Sequence, residues 1–143
     1  MPEQTEQDLG AVREALTGQI AYLVDEIEHL RSIVYRIPAP LLEGRPLPES
    51  FSIKETYGLF AILDEHVYLP RLQRIIADDE PELPLLDARR LLARESWNDL
   101  EIGDILDRVK EARSELVSFL RALPAGEWSR SGFINGQRRT VYD

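Results

Sequence analysis

The chain has 143 residues, one domain's worth, with 17 basic side chains against 26 acidic ones and a net charge of −9. The complete lack of cysteine excludes disulfides, zinc fingers, iron–sulfur clusters and thiolate chemistry, and fits a cytoplasmic protein. No apolar run is long enough to span a membrane, so no membrane partner is expected; the acidic start from Met1 to Asp8 is unlike a signal peptide, and the negative charge argues against a nucleic-acid partner.

Apolar residues recur every three or four positions from Leu9 through Val12, Leu16, Ile20, Leu23, Ile27, Leu30 and Val34 to Ile37. This stripe predicts a long amphipathic helix over 8–37 that packs against antiparallel partners. Pro38 and Pro40 end it, and the four prolines and Gly44 between 38 and 50 predict a semi-rigid loop. Ser52 and Glu55 form a capping box, with Phe51 placed as a hydrophobic staple. The helix they open is predicted over 52–77. It carries two adjacent apolar stripes, Ile53/Phe60/Leu63/Val67 and Leu59/Ile62/His66/Leu69/Ile76, as a central bundle helix does. Pro70 removes the bond to the His66 carbonyl, which predicts a kink or a restart.

Asp78 to Glu82 closes that helix, and the mixed stretch that follows contains a short helix between Asp87 and Arg94. A third long helix is predicted over 102–123 from Ile102, Ile105, Val109, Ala112, Leu116, Phe119 and Leu123, stopped by Pro124 and Gly126. Asn135-Gly136 predicts a tight turn. Thr140 reads as the N-cap of a further helix opening at Val141 and Tyr142, so a fourth helix is expected to be cut off after Asp143. The expected fold class is all-α, a helical bundle with residues 1–143 as one domain.

Two histidines and the carboxylates are the groups suited to metal or acid–base chemistry. Tyr22, Glu26 and His29 fall on one flank of the first helix, either as a ligand-binding cluster or as a surface ion pair. His66 shares a stripe with Leu59, Ile62 and Leu69 and is expected to face the interior or a cleft, either as a metal or ligand contact or as a packed, hydrogen-bonded histidine. Arg71 with Arg74, Arg89 with Arg90, and Arg138 with Arg139 form small cationic clusters that read as solvated faces or, in the sharper reading, as an anion site. No phosphate-binding glycine loop and no serine in a nucleophile elbow is present.

The run from Phe51 to Leu59, with Asp64-Glu65 after it, resembles the second-helix signature of the DinB/YfiT-like superfamily. There an aromatic-Ser-x-Lys-Glu motif is followed by a histidine and then by an acidic residue. Arg113 to Leu123 with Glu127-Trp128-Ser129 resembles the family's third helix and tryptophan turn, and Gly136 to Asp143 the lead-in to its fourth helix. The resemblance implies an up-down-down-up four-helix bundle. In active members, which are hydrolase-like enzymes and low-molecular-weight-thiol transferases, it also implies a metal held by one histidine of the second helix and two of the fourth. Leu59 stands at the second-helix position, and the other two positions fall beyond Asp143, so no ligand carries over. Two functions follow. The first is a bundle with a degenerate metal site that binds a small ligand or a partner chain. The second is a metal-dependent thiol transferase or hydrolase whose altered site uses His66 and a divalent ion, nickel or zinc, with histidines from the missing helix. A homodimer is expected, because without a fourth helix the second one keeps an apolar face uncovered.

Overall fold

The computed structural model describes residues 2–143, with side chains from Thr5 onward. Helix α1 spans Pro2–Val34, six residues earlier at its start than its apolar stripe predicts. Helix α2 (Ala39–Glu43) turns inside the proline-rich loop, with Pro38 at its cap. The second long helix is α3 (Ile53–Ile62), a π-helical turn (Leu63–Tyr68) and α4 (Leu69–Ala77). Helix α6 (Ile102–Ala122) is the third, and the short α5 (Ala88–Leu92) lies in the connection before it.

Cross-helix pairs fix the directions. Arg31 meets Asp107 at 2.7 Å and Glu28 meets Lys110 at 3.0 Å, so residue numbers run oppositely and α1 is antiparallel to α6. Along the second long helix the numbers rise together. Lys54 reaches the Leu100 carbonyl at 2.6 Å, Glu65 meets Arg108 at 2.9 Å, and this helix therefore lies parallel to α6. The three long helices run up, down, down. A parallel neighbour needs a crossover, and residues 78–101 supply it. The crossover contains α5, capped by Asp87, and Trp97 in a single 3₁₀ turn (Trp97–Asp99). Trp97 is the largest of the fully buried side chains, packed among Ile27, Ile62, Ile105, Leu106 and Val109.

The capping box forms as expected. Ser52 Oγ accepts from the Glu55 N–H, and Glu55 Oε1 accepts from the Ser52 N–H, both at 3.0 Å. Around Pro70 the helix restarts: α4 begins at Leu69 with the proline in its first turn. The helix widens before the proline, with the Leu69 N–H donating five residues back to the Asp64 carbonyl. That extra residue in the turn breaks the 3.6-residue phase on which the His66 stripe was counted. Asp64 and Val67 turn inward, and His66 lies on the surface with 47% of its side chain exposed.

The tail is a further correction. No helix opens at Thr140. Residues Ser131–Ile134 form β2 and Gln137–Thr140 form β3, an antiparallel hairpin whose Asn135-Gly136 turn takes φ of +50° and +78°. Glycine and asparagine tolerate that left-handed backbone, and a two-residue hairpin turn of this hand needs it. β2 also pairs in parallel with β1 (Glu82–Leu83), in register Glu82 with Phe133 and Leu83 with Ile134. The small sheet is a minor addition to a helical fold. Its apolar side, with Leu83 and Ile134, and the flanking Trp128 and Val141 close a second core cluster around Ile75, Leu116 and Leu120. No helix among the described residues is long and apolar enough to cross a membrane.

Candidate functional site

The π turn carries Asp64 into the bundle, where 1% of its side chain is exposed. A lone carboxylate there would be prohibitively costly, and the partner is Arg113 of α6, which donates from Nε at 2.6 Å and Nη2 at 3.1 Å in a forked pair. Arg113 also reaches the Ile20 carbonyl of α1 at 3.4 Å, so one guanidinium ties all three long helices. Burial pushes the Asp64 carboxyl above its ordinary range, and the Arg113 charge opposes that rise.

Beside this pair lies a cleft of about 460 Å³. Leu16 and Ile20 of α1, Leu72 and Ile75 of α4, and Leu116 and Leu120 of α6 make its walls. The tail closes the remaining side with Trp128, whose ring lies 5.3 Å from that of Tyr142, and the Tyr142 hydroxyl accepts from Arg13 at 3.0 Å. Three guanidinium groups reach the lining: Arg71, Arg113 and Arg139. Arg139 bonds Gln137 at 2.9 Å and its charge acts on Asp143, a carboxyl held below its ordinary range chiefly by the Thr140 N–H at 2.8 Å. Arg71 differs. Its Nη2 reaches the Pro84 carbonyl only at 3.4 Å, and among the described residues its buried Nε has no hydrogen-bond partner. A second cavity, about 510 Å³, lies where α3 begins. Its polar groups satisfy one another: Arg45 holds Glu55 at 2.7 and 2.6 Å, Ser52 meets Asn98 at 2.6 Å, and Arg89 lies 4.7 Å over Phe51. These contacts anchor the start of α3.

The residues singled out in the sequence do not converge. His66 Nε2 stands 3.8 Å from Glu65, whose carboxylate is already forked by Arg108 at 2.9 Å. Tyr22 and Glu26 do meet, and that hydrogen bond raises the Tyr22 hydroxyl pKa. His29 is exposed and bonds the Asp25 carbonyl of its own helix at 2.9 Å. Leu59 is half-buried against the core. Among the described residues no three His, Asp or Glu side chains gather to hold a metal ion, so this donor set does not fit a three-histidine centre. The arginine clusters divide instead. Arg74 pairs with Asp78 and Arg138 with Glu80 at the surface, while Arg71 and Arg139 line the cleft. Sequence reasoning missed Asp64 and Arg113 as a pair. Their signal was an acidic residue on a helix otherwise apolar on two faces, with an arginine flanking the stripe of the third helix.

Three long helices running up, down, down around such a core make the chain a helical bundle. A solved structure with the same fold is YfiT from Bacillus subtilis, described as a probable metal-dependent hydrolase with an unusual four-helix bundle topology. It matches with a TM-score of 0.72 over 88% of this chain and 73% of that one, at 12% identity. At that identity the likeness is one of fold. No protein-family model matches the sequence. No curated protein matches it either.

Proposed function

We propose that this chain is a small-ligand-binding protein on the DinB/YfiT-like fold, with the cleft between α1, α4, α6 and the tail as its site and without the family's three-histidine metal centre. The observation that carries this reading is the cleft: it has the size of a small-molecule site, apolar walls and a few convergent polar groups. Leu59, at the position where the resemblance places a metal histidine, supplies packing and no donor. Binding of the neutral dye Nile red, followed by fluorescence, tests the reading. The parent should bind the dye and Leu72→Trp, which fills the cleft, should not; equal binding by both would place the dye elsewhere and remove the argument.

The description of YfiT favours the second reading, a metal-dependent thiol transferase or hydrolase with an altered site. Calorimetry with nickel and zinc separates the two. On the ligand-binding reading, His66→Ala takes up either ion no more weakly than the parent; a loss of tight binding in that variant supports the enzyme. A homodimer belongs to the same proposal, because Leu9 and Val12 on α1 and Tyr68 beside the cleft leave apolar surface exposed. Light scattering should then give about twice the 16.4 kDa chain mass.

A further inference from the structure

We infer that the cleft takes an aliphatic monocarboxylate, its carboxylate on Arg71 and its hydrocarbon chain along the leucine and isoleucine walls. This rests on the ligand-binding reading above. Of the guanidinium groups in the lining, Arg113 is matched by Asp64 at 2.6 Å, and Arg139 faces the charge of Asp143. Among the described residues Arg71 has no carboxylate partner, and its one hydrogen bond is the long one to the Pro84 carbonyl. A cation on the cleft with one long hydrogen bond gains from a charge-assisted partner, which an anionic ligand supplies. A carboxylate suits it best, since its two oxygens match the paired N–H donors of a guanidinium.

The rest of the lining narrows the class. One unpaired cation balances a single negative charge, and the Asp143 carboxylate on the same cleft repels a second, which disfavours a phosphate dianion. The walls are branched aliphatic side chains from three helices, so the remainder of the ligand is hydrocarbon. The volume, about 460 Å³, holds a medium-length chain and is too small for a folded partner.

The test displaces Nile red from the full chain with decanoate, decanol and inorganic phosphate. The same titrations are run on Arg71→Gln and on Arg71→Lys, with folding checked by circular dichroism. Decanoate should compete about tenfold or more better than decanol in the parent. Arg71→Gln should abolish that preference, and Arg71→Lys, which keeps the charge and loses the fork, should retain part of it. Equal competition by decanoate and decanol in the parent overturns the inference while the cleft stands as a site, and this comparison needs no variant. So does stronger competition by phosphate than by decanoate. If neither the dye nor decanoate binds, the ligand-binding reading falls with it. If decanoate fails and the chain is a dimer that Leu72→Asp dissociates, a second copy covers the cleft and the inference is wrong.

Discussion

Gly58→Ala sets two known effects against each other inside α3. Alanine is the better helix former by about 1 kcal/mol, so at an exposed site the change would stabilise. Here a Cβ would stand 2.5 Å from Trp97 Cδ2, 2.6 Å from Cε3 and 2.9 Å from Cε2, distances that real Cβ atoms do not tolerate. The indole has little freedom to retreat. It is 2% exposed, its Nε1 donates to the Leu92 carbonyl at 3.0 Å, and the Arg108 guanidinium lies 4.8 Å over its ring. Overpacking of this kind costs about 1–3 kcal/mol, and loss of the indole hydrogen bond about 1 kcal/mol more. The net expectation is destabilisation by about 2 kcal/mol, or a melting temperature lower by roughly 4–8 °C for a chain of this length. Urea denaturation followed by far-UV circular dichroism measures it. The same substitution on a Trp97→Leu background removes the clash and should stabilise by up to about 1 kcal/mol. A parent in which Gly58→Ala is neutral or stabilising would refute the reasoning, since propensity would then have won.

Asp64→Asn leaves the Arg113 charge without its partner and should cost about 3 kcal/mol in denaturation. The double change Asp64→Leu with Arg113→Met should cost less than either single one. Glu55 is held down to about 2, chiefly by Arg45 and then by the Ser52 N–H, against an ordinary value of 4.5. A depressed carboxyl stabilises the fold above pH 4.5, and this stability is lost as pH falls toward about 2. Glu55→Gln should therefore flatten that segment of the stability–pH curve by about 2 kcal/mol, and an unchanged slope would disprove the pairing. Ser52→Ala removes both the cap and the 2.6 Å bond with Asn98 and should cost about 1–2 kcal/mol. Leu59→Ala should cost only about 1–2 kcal/mol, because Leu59 is half-buried; a loss above about 4 kcal/mol would show that it fills the core.

Where a helix keeps its pitch, apolar spacing located it well. The third long helix ends within one residue of its predicted limit, and Ser52 with Glu55 caps α3 as the motif requires. The readings failed where the phase changed. His66 was placed by counting through Leu63–Tyr68 at 3.6 residues per turn, and the π turn there reassigns the inward position to Asp64. Thr140 has the chemistry of an N-cap, but the strongly turn-forming Asn135-Gly136 before it fixes a hairpin, and β2 holds Thr140 opposite Ser131. Trp97 was invisible for a different reason. Its burial depends on a glycine 39 residues earlier in the chain, a long-range match that no local pattern encodes. The cleft shares that limit: Arg71 and Arg139 were each half of a noted pair, but only tertiary packing decides which half lines the cleft.

The parallel pairing of β1 with β2 ties Leu83 to Ile134 and encloses α6 in a closed loop of about 50 residues. Closing a loop of that length costs about 3.5 kcal/mol of chain entropy, and a two-residue strand pair with the Phe133 bond to Pro81 at 2.9 Å returns little of it alone. The sheet holds because Leu83 and Ile134 of its strands, with the flanking Trp128 and Val141, bury apolar surface against the helices beneath. The tail should therefore open before the bundle beneath it, with its amides exchanging with solvent well before those of α6. Since the same tail walls one side of the cleft, the free energy of that local opening is also the free energy that a ligand in the cleft would raise by binding.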